Sequence, residues 1–211
     1  MQNPKALYQL MPRIFGAAAK PPFNPEMVYP FGQREVNEAS VLDAAARFSC
    51  PIAIAGEDNT AKFGFPGFTA WKQSLAERGV RGYRIIAFPG TFKPDAKGDM
   101  RGSTFTEMTA LVPFLKKMGV RSLVALAPEW HILRCYMTAV GVAVQEYPEL
   151  KIYPAFGDPL PWDEDSEHSQ GTTLGKRWWF LITETARLWE YEGRGVPRFE
   201  VVLDYMDRFD L

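Results

Sequence analysis

The 211-residue sequence predicts an α/β fold, a Rossmann-like, doubly wound, mainly parallel sheet with helices on both faces. Three observations carry that expectation. Short, almost wholly apolar runs recur at Pro51–Gly56, Tyr83–Phe88, Ser122–Ala127 and Leu150–Phe156, each bounded by turn signals. Runs of that kind read as strands buried on both faces, as in a parallel sheet. Helical periods separate them, and Gly79 and Gly119 stand where left-handed helix caps would release the chain into the next strand.

Each element follows from its own residues. Met1–Pro30 is rich in proline without a clear period, and Pro21–Pro25 reads as an extended linker. Val28–Gly32 suggests a short strand entering a glycine turn. Arg34–Phe48 has a helical apolar stripe through Val36, Ala39, Val41-Leu42 and Ala45-Ala46, with Asn37 or Ser40 as its cap. A helix over Phe68–Arg78 ends at Gly79. The long polar loop between Pro89 and Gly102 follows a strand, a position where long loops often serve function. Ser103 or Thr104 caps the next helix, the Ser103–Glu107 run contains a capping box, Thr104-x-x-Glu107, and Pro113 predicts a kink or a later start.

Ser122–Thr138 is the stretch with the clearest chemistry. Its strand is followed by Pro128, which suits a first helical position, and by Glu129 in the first turn. His131 and Arg134 then share one helix face at i, i+3 spacing. Gly157–Thr173 reads as a polar, acidic loop. Leu174–Tyr191 reads as an amphipathic helix whose apolar residues are Trp178, Leu181-Ile182, Ala186 and Trp189, and Pro197 opens a last helix to about Phe209. The predicted organisation is an N-terminal Pro-rich extension (1–32), an α/β domain (33–195) and a C-terminal helical extension (196–211).

Composition narrows the classes of function. Fifteen Phe, eight Tyr and six Trp are ample for a sizeable core, and the net charge of −1 favours neither nucleic acid nor an anionic membrane. Gln9, Pro12 and Arg13 interrupt the N-terminal apolar residues, and no run approaches the ~20 apolar residues of a membrane-spanning helix. Cys50 and Cys135 adjoin buried elements outside any CxxC pattern, so both are expected as free thiols in a reducing compartment. A soluble, cytoplasmic chain without a membrane anchor is the expectation.

Several motifs are missing: GxGxxG after a strand, GxxxxGK[ST], GxSxG and HExxH. Two histidines 37 positions apart make a poor zinc site, while carboxylate-only cation binding at Glu57 and Asp58 stays open.

From about Gln33 to Gly195 the chain resembles the YdcF/SanA/ElyC-like proteins, a Rossmann-like group. The matching pieces are Arg34, the Ile52–Gly56 strand and turn, Leu75–Val80, Arg84–Phe88, Ser103–Glu107, Trp130-His131-Ile132-Leu133-Arg134, and an ending with Trp162 and Glu184–Tyr191. The sequence departs from that pattern at Ala55-Gly56-Glu57, in the Thr106-Glu107 spacing and at Ala127-Pro128. The resemblance implies a nucleotide-type ligand such as S-adenosylmethionine at the strand ends. Among the relatives it implies are some that act in envelope biogenesis with a membrane anchor.

The candidate site is therefore His131 and Glu107 as acid–base groups, with Arg34, Gly56, Glu57, Asp58, Thr104 and Arg134 binding ligand. Two arginines beside a helix start favour an anionic group, and a histidine moves protons near neutral pH. The expected ligand is an anionic, nucleotide-like or phosphorylated small molecule, with S-adenosylmethionine or a divalent cation as candidate cofactor. The competing reading is a non-catalytic interaction module with a degenerate pocket, in which the Trp-rich helix and the Pro-rich N-terminus form a partner surface.

Overall fold

The computed structural model describes residues 3–22, 24–33, 35–58, 65–89, 93–94, 100–101, 103–168 and 173–211. Its strands are β1 (Met27–Pro30), β2 (Ile52–Ala55), β3 (Ile85–Phe88), β4 (Lys93–Pro94), β5 (Met100–Arg101), β6 (Ser122–Ala127), β7 (Lys151–Phe156), β8 (Asp165–His168) and β9 (Thr173–Lys176). Its helices are α1 (Pro4–Ala18), α2 (Glu35–Ala46), α3 (Phe68–Glu77), α4 (Thr104–Met118), α5 (Ile132–Glu146), α6 (Arg177–Glu190) and α7 (Phe199–Phe209).

Five strands form one all-parallel sheet in the order β3-β2-β1-β6-β7, the architecture of a Rossmann-like doubly wound fold. In register, Val28 lies beside Ile52 on one side and Val124 on the other, and Leu123 beside Ile152. The apolar run of β6 is buried from Leu123 to Ala127, because strands flank it on both edges and helices cover it. Gly79 and Gly119 have positive φ and release α3 and α4 into the strands that follow.

The ends of the chain depart from expectation. The Pro-rich N-terminus contains a helix, α1, whose first turn is set by Asn3 as cap and Pro4. Leu7, Leu10, Ile14 and Ala18 form its buried stripe, and the helix runs through Pro12. Arg13 ties it to α7 through Asp207 and the Leu211 carbonyl, both at 2.7 Å. The α7 residues Phe199, Val202, Tyr205 and Met206 are buried, and Tyr205 Oη accepts from Ile152 N–H and donates to the Leu150 carbonyl. The expected boundary at residue 33 cuts off β1, the central strand, so neither end is an appendage.

Other local expectations need correcting. Asn37 and Ser40 do not cap α2; both are buried within it, and Ser40 Oγ donates to the Asp158 carbonyl at 2.6 Å. Of the two expected caps Ser103 is the one that caps α4, in a capping box with Thr106 rather than the expected Thr104-x-x-Glu107, and the helix starts at Thr104 and continues through Pro113. Pro128 opens a turn, with α5 beginning at Ile132. Part of the expected acidic loop pairs as the antiparallel β8–β9 hairpin. Of the expected long loop, residues 93–94 and 100–101 pair as β4 and β5; positions 90–92, 95–99 and 102 lie outside the described residues. Both cysteines are free thiols, and among the described residues no helix is long and apolar enough to cross a membrane.

Candidate functional site

From β1 the chain moves outward through α2, β2 and α3 to β3, then crosses back through α4 to β6 on the other side of β1. The carboxyl ends of β1 and β6 therefore flank the point where strand order reverses, the place where open α/β sheets hold ligands. Right-handed crossovers put α2 and α3 on one face and α4 and α5 on the other. The starts of α4 and α5 consequently rise together beside this crevice.

Glu184 of α6 is the centre of a charged cluster there, and its side chain is only 1% exposed. Its Oε2 lies 2.7 Å from His131 Nδ1 and accepts from Arg134 Nε at 2.5 Å. Its Oε1 accepts from Arg187 Nη1 at 2.8 Å. Arg134 Nη1 also donates to Thr104 Oγ1 at 3.1 Å, joining the first turn of α4 to that of α5. Arg134 Nη2 stands 3.4 Å from the same imidazole nitrogen. A guanidinium has no acceptor, so the Nδ1 proton goes to Glu184. The contact thus fixes the ring orientation and, in the neutral imidazole, the Nδ1–H tautomer. Burial of Arg134 disfavours its charge, but Glu184 outweighs that and leaves its pKa raised.

Glu107, in the first turn of α4, sits in a different environment. It accepts from Tyr29 Oη at 2.8 Å and from the Gly32 backbone N–H. A Cβ at Gly32 would stand 3.1 Å from Glu107 Oε1, so glycine gives the carboxylate close access to the β1 turn. Burial raises the Glu107 pKa to about 7, against the lowering pull of Tyr29, Gly32 and Arg134, and Glu57 adds to the rise. Burial likewise pushes the Tyr29 phenol up. Glu107 thus exchanges a proton near neutrality, within the electrostatic reach of Arg134 and Glu57.

The remaining predicted residues have other duties. Asp58 Oδ1 accepts from Thr69 N–H at 2.9 Å and Oδ2 from Thr69 Oγ1 at 2.8 Å, which holds its pKa below the usual range and fixes the start of α3. Gly56 donates its N–H to the Phe88 carbonyl at 2.8 Å, and a Cβ there would stand 3.1 Å from that oxygen. Both are local structural positions at the ends of β2 and β3. Arg34 lies outside the described residues. Among the described residues, no group of three or more His, Cys, Asp or Glu side chains is placed to hold a metal ion.

The structure thus brings together His131, Arg134 and Thr104, with Glu107 and Glu57 electrostatically close. It adds Glu184, Arg187 and Tyr29. Glu184 was legible only as the first residue of the segment Glu184–Tyr191 in the family-like ending. Its spacing from Arg177, Phe180 and Leu188 places it on the buried face of α6, the signal that the tryptophans of the opposite face obscure. No protein-family model matches the chain, and no curated protein or solved structure is significantly similar to it.

Proposed function

We propose that this chain binds, and acts by proton transfer on, an anionic nucleotide-like or phosphorylated small molecule at the carboxyl ends of β1 and β6. The observation that supports this reading most is the Glu184-oriented His131 beside Arg134, at the reversal point of a parallel sheet. Arg134 supplies positive charge for the anion. His131 beside it and Glu107 within its electrostatic reach are the two groups suited to give and take a proton. An S-adenosylmethionine-type ligand belongs to the same class, and a divalent cation would have Glu57 and Glu107 as oxygen donors. The free thiols fit a chain that works in the reducing cytoplasm.

A thermal-shift screen over nucleotides, S-adenosylmethionine, sugar phosphates and divalent cations tests this directly. A ligand that binds only the folded chain, at ~100 times its dissociation constant, adds about 2.7 kcal/mol of stability. With a ligand in hand, Arg134→Lys is expected to weaken it about tenfold through loss of a charge-assisted fork. His131→Gln is expected to spare binding and cut turnover ~10²–10⁴-fold. If both variants lose stability while affinity and turnover stay at wild-type levels, the cluster is structural and the proposal is wrong.

The second reading, an interaction module, is favoured by one observation. Trp178, Trp179 and Trp189, whose burial against the sheet would remove the main support of this reading, are all substantially exposed.

A further inference from the structure

The buried face of α6 holds Arg177, Phe180, Glu184 and Leu188, while its outer face carries an apolar stripe bordered by Glu190. Trp179 is 40% exposed, Ile182 59% and Trp189 37%, with Trp178 alongside at 50%. Ala186 is exposed on the same face. Residues 179, 182, 186 and 189 follow the 3-4-3 spacing of a coiled-coil seam, so all four line one stripe. The stripe contains no charged residue.

It is also palindromic. The pairs 179/189 and 182/186 share a midpoint at residue 184, the centre of the helix. An antiparallel copy of α6 related by a two-fold axis there sets Trp179 against the partner helix's equivalent of position 189. It also sets Ile182 against the small side chain at position 186. Ile182 then meets the small Ala186 at the centre of the seam, as close packing requires, while the tryptophans meet each other at its two ends. A parallel pairing would instead set two alanines facing each other and leave a gap.

Both end tryptophans are already seated. Trp189 packs edge-on against Phe199 at 5.1 Å, and Trp179 lies over Gly175, whose missing Cβ would stand 3.3 Å from the indole. Preorganised aromatics lose little entropy on association.

We propose that the outer face of α6 is a homodimer seam, occupied by the same helix of a second copy in antiparallel orientation. The area sets the strength. Aromatic side chains bury about 150–250 Å² each, so the exposed parts of this stripe and Trp178 amount to roughly 400 Å² per copy. That is about half of the ~800 Å² per partner in a standard stable interface, which makes the dimer reversible and weak. This inference is independent of the proposed ligand chemistry, since it rests on the opposite face of the helix.

Sedimentation velocity on the full chain tests it. Wild type is expected to be largely dimeric at about 100 µM and monomeric after hundredfold dilution, the range of a micromolar complex. Ile182→Lys and Ala186→Glu are each expected to weaken the dimer at least about tenfold, with circular dichroism and melting temperature unchanged because both sites are exposed. The Ile182→Lys/Ala186→Glu double variant is expected to recover the dimer, because only the antiparallel register pairs those two charges across the axis. A wild-type chain that stays monomeric at about 100 µM overturns the proposal. So does a chain that remains monomeric yet co-sediments with phosphatidylcholine–phosphatidylglycerol vesicles, or single variants that associate as well as wild type. A double variant no better than the singles overturns the antiparallel register.

Discussion

Two carboxylates feel the charge of Arg134, and their surroundings could hardly differ more. Glu184 is fully buried and ion-paired to Arg134 and Arg187, with the His131 imidazole as a third partner. Glu107 is half-buried and bonded to neutral donors, a phenol and a backbone N–H, with its pKa raised to about 7. The same side chain is an ion-pair partner that orients a histidine in one place and a carboxyl with a raised pKa in the other. Compensating charge makes the difference: burial without a direct ion pair raises a carboxyl pKa, whereas bonded guanidinium groups hold the charged form. The cluster around Arg134 thus has one carboxylate held by ion pairs and one held only by neutral donors.

The largest expected effect comes from breaking the ion-paired carboxylate. Glu184→Gln keeps the shape and leaves Arg134 and Arg187 without their counter-charge, at a cost of about 3 kcal/mol. For a chain this size that lowers the melting temperature by roughly 6–12 °C. A shift of one or two degrees would mean that Glu184 is no more committed to its cations than a surface carboxylate.

The carboxyl held by neutral donors is tested by pH. The folded pKa of Glu107 is about 7 against an ordinary value of 4.5, so between these limits the folded chain holds a proton that the unfolded chain has released. Stability from this group is therefore full below about pH 4.5 and falls as pH rises towards 7, by about 2 kcal/mol after allowing for partial exposure. Urea unfolding of wild type and Glu107→Gln across pH 4.5–8 isolates it. The variant is expected to gain on wild type as pH rises; parallel curves would show that Glu107 does not titrate in this window.

The smallest effect sharpens the contrast. Tyr29→Phe removes the phenol donor that pulls the Glu107 pKa down. Stability should drop by about 1 kcal/mol and the carboxyl midpoint should move further upward. Carboxyl-labelled glutamate, followed by NMR, reads that midpoint. An unmoved or lowered midpoint would show that Tyr29 does not stabilise the charged form.

How much of this was legible varied with the range of the signal. β6 was readable to the residue, because a strand buried on both faces needs an unbroken apolar run and Ser122–Ala127 supplies one. The i, i+3 pair His131 and Arg134 was readable as sharing a face, a local property of any helix. The α1 helix was missed because Pro12 was read as an interruption, whereas Leu7, Leu10, Ile14 and Ala18 keep their period through it. Glu107 was assigned to a capping box. Ser103 and Thr106 already satisfy that first turn, so Glu107 was left to reach Tyr29 and Gly32.

The tryptophans of α6 mark the limit most clearly. The sequence by itself determined that α6 is a helix with a polar and an apolar side, since periodicity depends only on neighbours along the chain. Which side faces inward was decided by tertiary structure. His131 and Arg134, some fifty positions earlier, present charge that is most cheaply buried against an opposite charge. Glu184 therefore turned in, and Trp179, Ile182 and Trp189 turned out. Local pattern fixes the elements, but the pairing of charges across long sequence separation sets the face each one buries.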